Sequence, residues 1–369
     1  MEIVTSVSKI PAAEWDAHAG GHPLLRHAFF LALEESGCAS PETGWQPAFL
    51  VEKVNGKVEG FMPLYFKSHS FGEFVFDHAW ADAYQQNGLA YYPKLVSSIP
   101  FTPVAGGRIF GSPEIQKKLA QAAKALAIES GASSLHILFP TLEAAQKLVG
   151  EGFLLRKTLQ FHWRREGKRN FSEFLEGMRH EKRKKIKQER KKIAAAGITF
   201  RLVVGTEATE ADWDFFFLCY TRTHILYNSP QAFNRDFFAR LARTMPENLL
   251  LVIGERDGTP IAAAFNVFHD QALFGRQWGC TEYVPGLHFE TCYYQAIEFC
   301  LERGINLFEG GAQGEHKLAR GLLPVTTWSA HWLAHPEFFR AVEDFLQREG
   351  RGMSEYVNEL EESSPFKRG

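Results

Sequence analysis

The order of strand-like and helix-like segments is nearly the same in the two halves of the chain. Each half contains two strand-like runs around a dipeptide that favours a tight hairpin turn, Asn55-Gly56 or Asp257-Gly258. Each then has a helix-like segment that ends at a glycine, Gly131 or Gly304, and is followed by an apolar strand. Alternating strands and helices predict an α/β fold, and the repeated order predicts an internal duplication.

The length of 369 residues favours two domains, because a domain typically takes roughly 150 residues. A polar, glycine-containing link, RREGKRN, lies near the middle of the chain. We therefore predict domains at 1–165 and 166–369, the second beginning with a long basic helix. Asn170 followed by Glu173 resembles a capping box at its start, and Gly197 is expected to end it.

The composition is that of a globular protein, with 45% hydrophobic and 23% charged residues. A formal net charge of −2 argues against bulk attraction to nucleic acids or membranes. No apolar run is long enough to span a bilayer, and the first residues lack the pattern of a signal peptide. Five cysteines without a CxxC pair give no zinc signature. We expect a cytoplasmic protein without membrane insertion or a bound metal.

The densest group of reactive side chains follows the strand INLFEGG, where open α/β sheets place their ligands. Glycines there allow a close approach of the backbone to a ligand, and closely spaced charges shift each other's pKa values. A solvated loop with surface ion pairs is the alternative. The candidate catalytic residues are Glu309, Glu315, His316 and Lys317, with Gln313 and Arg320 as substrate-binding residues.

The preceding strand and helix supply further candidates. Gly275 and Gly279 flank Arg276, Gln277 and Trp278, and glycines inside a strand often mark a bulge that frees backbone N–H groups for an acyl oxyanion. A close helix–strand contact would also require small residues. The next helix begins with three candidates for contact with a hydroxyl or amine: His288, Glu290 and Tyr294.

In the first half, a long aromatic loop carries carboxylates and is expected either to form a substrate platform or to pack against other parts of the protein. Its candidate substrate-binding residues are Asp77, Trp80, Asp82, Tyr84 and Lys94. The coenzyme A loop pattern Q/R-x-x-G-x-G/A is matched only in part, by Arg108 and Gly111. The basic stretch Arg179 to Lys192 fits either a solvated helix face or contact with phosphates or tRNA.

Several motifs resemble the FemAB-like family of peptidoglycan biosynthesis or recognition proteins, within the GNAT acyltransferase superfamily. They include HPLLRHAFFLALEESG, PLYFKSHSFGEFVFDHAWADAY, LHFETCYYQAIEF and FEGGAQGEHKLARG. The resemblance implies two tandem GNAT-like domains, each a mixed sheet flanked by helices. By analogy with Fem transferases it implies transfer of an amino acid from aminoacyl-tRNA to the amine of a peptidoglycan precursor. The positions that look equivalent are Lys317 and the helix Arg179 to Lys192.

These observations predict an acyl- or aminoacyltransferase with acetyl-CoA or aminoacyl-tRNA as donor and a small, peptide or UDP-muropeptide-like acceptor. Glu309 or Glu315 is expected to accept the proton of the attacking amine, with His316 as second choice. Lys317, Arg320 and Arg276 are expected to hold an anionic group. Two alternatives remain: degenerate domains that bind a peptidoglycan fragment without catalysis, and coenzyme A-dependent acetylation of a small amine.

Overall fold

The computed structural model of the protein describes residues 1–311 and 314–367 and divides into two compact units. Unit 1 comprises Met1–Thr158 and Thr326–Tyr356, and unit 2 comprises Leu159–Val325 and Val357–Gly369. The linear division predicted from the sequence, 1–165 and 166–369, differs because a late segment of the chain pairs with an early strand of unit 1. No helix in the described ranges is long and apolar enough to cross a membrane.

Unit 1 contains seven complete strands and the start of an eighth, which continues into unit 2. They are β1 (Glu2–Val4), β2 (Trp45–Pro47), β3 (Phe49–Val54), β4 (Lys57–Met62), β5 (Tyr65–Lys67), β6 (Lys94–Ser97), β7 (Ser134–Leu138) and the start of β8 (Leu154–Arg164). Its helices are α1 (Ala12–Ala19), α2 (His27–Glu35), α3 (His78–Gln86), α4 (Pro113–Glu129) and α5 (Leu142–Gly150). A late strand, Leu323–Leu333, and a last helix, Pro336–Glu362, complete it.

The hairpin of β3 and β4 forms around Asn55 and Gly56, whose φ angles of 51° and 81° are both positive, as the sequence predicts. It pairs with β1 in a three-stranded sheet. A second sheet has the order β2-β5-β6-β7, followed by the late strand, with β6 and β7 parallel and the other pairs antiparallel. Residues Ser329–Leu333 of that strand pair with β7, which explains why they belong to unit 1.

Unit 2 is built on the sheet order β13-β12-β11-β10-β9, with the end of β8 beside β13. The strands are β9 (Ile198–Val204), β10 (Leu249–Arg256), β11 (Thr259–Phe268), β12 (Ala272–Cys280) and β13 (Leu307–Glu309). The helices are α6 (Phe171–Glu176), α7 (His180–Ala195), α8 (Glu210–Leu226), α9 (Arg235–Thr244), α10 (Leu287–Phe289) and α11 (Gln295–Arg303). A π-helical turn, Glu290–Tyr294, lies between α10 and α11. The late strand described above, Leu323–Leu333, is named β14, and the last helix, Pro336–Glu362, is named α12. The predicted mixed sheets flanked by helices are therefore confirmed.

The sequence predicts one long basic helix from Asn170. This prediction is wrong in one respect, because the structure has two helices there, α6 and α7. Asn170 caps α6 by accepting a hydrogen bond from the Glu173 N–H at 2.9 Å. The chain then leaves the helix at Gly177–Arg179, where the Arg179 N–H donates to the Pro365 carbonyl at 2.8 Å. This hydrogen bond to Pro365 takes the place of a bond within a continuous helix, and a new helix, α7, begins at His180.

The aromatic segment of unit 1 is also more regular than predicted, since it contains helix α3. Trp80 and Tyr84 lie four residues apart on one face of α3, and both are buried. They pack in a cluster with Tyr91, Leu333 and Val342. The aromatic side chains therefore contribute to the core of unit 1.

Gly279 in β12 illustrates a tight contact between a strand and a helix. A Cβ at this position would overlap the carbonyl group of Cys219, in the middle of α8. The atom in the way is backbone, which cannot move without displacing the helix.

We expect Gly279→Ala to lower the free energy of unfolding by about 1–3 kcal/mol, the usual cost of overpacking. Urea unfolding of the full chain measures the change. Gly350→Ala is the matched control, because a Cβ at Gly350 in α12 meets no atom within 4 Å. A Gly279→Ala protein as stable as Gly350→Ala would contradict this packing.

Candidate active site

Strand β12 carries a bulge at Arg276. Gln277 is paired with Phe265 of β11 and Gly275 with Asn266, so Arg276 is the extra residue between them. On its other side, β12 pairs with β13 across Ala272–Phe274. The bulge predicted from the glycines is thus confirmed for Gly275, and the strand edge from Gly275 onward faces a cavity.

The cavity has a volume of about 110 Å³ and lies wholly within unit 2. Strands β11 and β12 form one side, the start of the α10–α11 helix another, and Gly310 and Lys317 the third. Its lining comprises Ala264, Phe265, Asn266, Gly275, Arg276, Gln277, Trp278, His288, Cys292, Tyr293, Phe308, Gly310 and Lys317. Four side chains from three separate predicted segments, Arg276, Trp278, His288 and Lys317, therefore meet at one place.

Two cations face this cavity. Burial, against the opposing effect of Cys292 and with a smaller contribution from the positive charge of Arg276, lowers the pKa of Lys317 to about 8. Burial also lowers the pKa of Arg276 to about 10, against the opposing effect of Glu309. Glu309, at the end of β13, is itself buried. Glu309 thus acts on Arg276, and an anionic ligand in the cavity would stabilise both desolvated cations.

Gly310 lies where a side chain does not fit, because a Cβ there would overlap Leu322 Cδ2. Lys317 lies close by, in a 3-10 helix, Glu315–Arg320. Both Gly310 and Lys317 line the cavity.

A group of aromatic rings surrounds His288. Its ring centroid lies 4.5 Å from that of Trp278 and 5.4 Å from that of Tyr293. Burial, followed by the charges of His316 and Lys317, lowers the pKa of His288 to about 4. His316 contacts the Tyr293 hydroxyl through Nε2 at 3.1 Å. His288 is therefore a neutral imidazole at pH 7.

Arg320 holds the 3-10 helix in place and does not line the cavity. Its guanidinium donates to the His316 carbonyl at 2.7 Å and to Glu189 of α7 at 2.8 Å. It also stacks on the Phe289 ring, with its Cζ 3.3 Å from the centroid. Glu189 in turn accepts a hydrogen bond from the buried Tyr294 hydroxyl. Arg320 and Tyr294, both predicted to bind substrate, have these internal contacts in the structure.

Glu290 points to a different groove from the cavity. It is buried and accepts hydrogen bonds from Arg190 at 3.0 Å and from Gln295 at 2.8 Å. Glu315 is exposed at the start of the 3-10 helix. Gln313 lies outside the described residues. Substrate contact by Glu290 and Gln313 and catalysis by Glu315 remain predictions.

The predicted residues of unit 1 form a closed network. The buried Lys94 ammonium donates to Glu73 at 2.8 Å and also to Asp77. Asp77 accepts from the Tyr91 hydroxyl at 2.6 Å, and the Tyr91 hydroxyl lies 3.2 Å from His136 Nε2. Burial raises the pKa of Glu73 to about 7, although Lys94 opposes the shift.

The enclosed positions of most of these side chains differ from an open substrate platform, which is one of the two arrangements that the sequence predicts. Of the five predicted side chains in unit 1, four are enclosed and one, Asp82, is exposed. The enclosed ones are Asp77, Trp80, Tyr84 and Lys94. In this structure the carboxylates and the lysine compensate each other's charge in the core, and contact with an acceptor remains a prediction.

Arg108 and Gly111, predicted to bind coenzyme A, line a larger cavity of about 790 Å³ in unit 1. The Arg108 guanidinium is buried and donates to backbone carbonyls, including that of Leu138 at 2.8 Å and that of Val104 at 2.6 Å. Gly111 is in the positive-φ region, and a Cβ there would lie 2.8 Å from the Glu59 carbonyl oxygen. Both residues thus have structural roles in the fold, and cofactor binding remains a prediction.

The cavity residues that the sequence analysis did not single out include Cys292 and Asn266. Cys292 follows His288 by four residues, so helical spacing was the signal that both share a face. Asn266 is the polar residue in the buried strand segment AAAFNVF, and its amide donates to the Leu250 carbonyl at 3.5 Å. Burial raises the pKa of the Cys292 thiol well above its usual value, which leaves it protonated.

Each of the two units consists of a mixed sheet flanked by helices. The structure resembles FemX, with a TM-score of 0.57 and 12% identity over 93% of this chain and 100% of that one. It also resembles the C-terminal domain of a candidate lysylphosphatidylglycerol synthetase from Agrobacterium fabrum, with a TM-score of 0.56 and 10% identity over 92% and 96% of the two chains. At these identities the likeness extends to the fold alone.

The chain belongs to the FemAB-like family, described as peptidoglycan biosynthesis/recognition, whose profile matches residues 6–368. The family resemblance stated from the sequence is thus confirmed. A comparison with curated protein sequences finds no match.

The lowered pKa of Lys317 has a consequence for stability. Between pH 8 and 10.5 the unfolded state binds a proton that the folded state does not, so folding stability contributed by this site rises with pH in that window. We expect the free energy of unfolding of Lys317→Met to exceed that of the wild type at pH 7 by up to roughly 3 kcal/mol, because the variant buries no ammonium group. This difference should disappear towards pH 10, where Lys317 is neutral in the folded wild type. Urea unfolding at each pH measures the difference.

Lys185→Met is the matched control, because it removes one lysine from an exposed position on α7. Stability curves for wild type and Lys317→Met that stay parallel from pH 7 to pH 10 would show that the Lys317 ammonium is not desolvated.

Proposed function

We propose that unit 2 transfers an acyl or aminoacyl group to the amine of a substrate in peptidoglycan biosynthesis. One observation carries the proposal: the small cavity brings Arg276 and Lys317 together beside a strand bulge and a neutral histidine, His288. Acyl transfer needs an anion-stabilising group and a proton acceptor next to the same carbonyl carbon. The family description supports peptidoglycan as the setting.

In the proposed reaction, the amine nitrogen of the acceptor attacks the carbonyl carbon of an ester or thioester. The carbon–nitrogen bond forms and the carbonyl electron pair moves to oxygen, giving a tetrahedral oxyanion. His288 accepts a proton from the nitrogen, and collapse of the oxyanion breaks the carbon–oxygen or carbon–sulfur bond. The leaving group then takes the proton from His288, so the enzyme returns to its starting state.

Arg276, Lys317 and the bulged backbone have separate roles in this scheme. The bulge at Gly275 to Gln277 is where backbone N–H groups can face the developing oxyanion. Arg276 and Lys317 stabilise negative charge on the oxyanion or on a phosphate or carboxylate of the substrate. Glu309 keeps the Arg276 charge in the site, since its own charge favours the guanidinium form. We assign the proton acceptor to His288 because it lines the cavity, whereas catalysis by Glu309 or Glu315 remains a prediction.

The donor is either acetyl-CoA or an aminoacyl-tRNA, and the acceptor is a peptide or muropeptide amine. Both donors present an activated acyl carbon to the same kind of site, so the cavity chemistry fits both. Contact between tRNA and the Arg179 to Lys192 segment remains a prediction. Parallel assays with labelled acetyl-CoA and with glycyl-, alanyl- and seryl-tRNA, each with a UDP-linked muropeptide, identify the donor.

We expect Lys317→Ala and Arg276→Ala each to lower kcat/KM for the active donor by about 10²–10³-fold, the usual effect of removing a group that stabilises an oxyanion. His288→Asn should lower kcat by about 10²–10⁴-fold. The matched control is Glu302→Gln, at an exposed position near the end of α11. Activity within threefold of wild type in all three site variants would refute the proposed site.

The pH dependence gives an independent check. The Lys317 pKa of about 8 means that the ammonium is lost from the free enzyme as pH rises through that value. We expect kcat/KM to fall above about pH 8 and, in Lys317→Arg, to stay level to higher pH, because arginine remains charged. A fall at the same pH in both proteins would show that another group titrates. Binding of a muropeptide without turnover of any donor would instead favour a recognition protein.

A further inference from the structure

We propose that the acceptor amine of unit 2 lies on a carbon atom that also carries a carboxylate, as at the free end of a diamino dicarboxylic acid. The inference rests on the proposed function and names the class of acceptor for the same cavity. In this assignment Arg276 binds the carboxylate of the acceptor, and the neighbouring amine lies beside His288. An isolated amine, such as the side-chain amine of a lysine, lacks the group that Arg276 binds.

The first observation is the charge of the cavity lining. Among the described residues, this lining contains two cations, Arg276 and Lys317, and no aspartate or glutamate. Glu309 acts on Arg276 but is not part of the lining. Buried charges are stabilised by partners of opposite sign. A ligand that brings a negative charge into the cavity is therefore favoured over a ligand that brings a positive one.

The second observation is the size of the cavity. Its volume of about 110 Å³ is well below the roughly 300–1,000 Å³ of pockets that enclose a drug-sized molecule. The phosphates of coenzyme A and of tRNA are attached to nucleosides, which are too large for this space. The anion that fits inside is therefore a small group, such as a carboxylate, at the reacting end of a substrate.

Of the two substrates, the acceptor is the source of this anion. An acetyl group has no charge, and a glycyl, alanyl or seryl group carries an amine in place of a carboxylate. Neither kind of donor brings a negative charge to the cavity before the oxyanion forms. A carboxylate next to the acceptor amine supplies this charge from the start, and it takes no part in the bonds that form and break.

The cavity offers separate partners for the carboxylate and for the amine. Arg276 is the extra residue of the bulge in β12, whereas His288 lies in α10. A guanidinium group has planar N–H donors that match both oxygens of a carboxylate. Because both side chains line a cavity this small, a carboxylate on Arg276 leaves the amine, one carbon away, within reach of His288. Lys317 comes from the 3-10 helix and is left for the oxyanion.

The apolar part of the lining accommodates the carbon chain behind this head group. The rings of Phe265, Trp278 and Phe308 line the cavity. Aromatic rings pack against methylene groups and provide a large apolar surface. A side chain of methylene groups that ends in an amine and a carboxylate therefore finds partners for both of its parts.

Two UDP-linked muropeptides form a matched pair of probes. One contains meso-diaminopimelate, whose free end has an amine and a carboxylate on the same carbon. The other contains L-lysine, whose free amine has no carboxylate beside it, and the rest of the molecule is the same. Isothermal titration calorimetry with the full chain, in the absence of a donor, measures the dissociation constant of each.

We expect the diaminopimelate form to bind at least about tenfold more tightly, because a hydrogen bond to a charged group contributes about that much to affinity. Equal affinities, tighter binding of the lysine form, or no binding of either form would overturn the proposal.

Arg276→Gln tests whether this preference arises at the cavity. Without the guanidinium group, the affinities for the two muropeptides should become nearly equal. The lysine form should bind to this variant as it does to the wild type, which verifies the fold of the variant. The matched control, Arg348→Gln, removes an arginine from an exposed position on α12 and should retain the full preference. A preference that persists in Arg276→Gln, or disappears in Arg348→Gln, would contradict the assignment.

A third probe makes the same comparison without a change in the protein. A diaminopimelate muropeptide whose free carboxylate is converted to a carboxamide has nearly the same size but no negative charge at that position. It should bind to the wild type as weakly as the lysine form does. Binding as tight as that of the carboxylate form would show that Arg276 does not recognise the charge.

Turnover separates this inference from the proposed function. With the active donor, kcat/KM for the three muropeptides should follow the same order as their affinities. If the diaminopimelate form binds preferentially but no donor supports transfer, the transferase function is wrong and the ligand assignment stands. If the muropeptides are bound equally and modified at equal rates, the transferase function stands and the assignment is wrong.

Discussion

The site in unit 2 depends on two desolvated cations that line the same cavity, Arg276 and Lys317. The charge of Glu309 acts on Arg276 and favours its guanidinium form. Burying a charge is costly unless a partner of opposite sign is close. The cavity is the place where an anionic ligand reduces this cost. The chemistry proposed for unit 2 follows from this arrangement, because a substrate or an oxyanion brings negative charge next to both cations.

Unit 1 shows the opposite arrangement of the same residue types. Lys94 lies between Glu73 and Asp77 and is fully buried, so its charge is compensated within the protein. In the large cavity of this unit, Lys117 and Lys147 each have a glutamate partner, Glu151 and Glu143. Similar side chains thus form a core network of ion pairs in one unit and line a cavity with Arg276 and Lys317 in the other.

Backbone irregularity provides the room for the site. The extra residue at Arg276 and the short pairing of β13 leave an open edge on β12. The π-helical turn Glu290–Tyr294 follows His288 and carries Cys292 and Tyr293 to the same cavity. Such turns and bulges are frequent at functional sites, since they re-aim side chains that a regular element would direct elsewhere. Gly310 and Lys317 complete the lining of the cavity.

The sequence by itself determined the elements that local chemistry controls. Asn55-Gly56 and Asp257-Gly258 form their turns because both positions accept positive φ, Gly304 ends its helix in the left-handed region, and Gly275 marks the bulge. Tertiary structure alone decided that Ser329–Leu333 pair with a strand of unit 1, that Lys94 and Arg108 are buried, and that Glu290 faces Arg190 instead of the cavity. Turn preference and hydrophobic period act over a few neighbouring residues, whereas strand pairing and the partners of a buried charge depend on residues far apart in the chain.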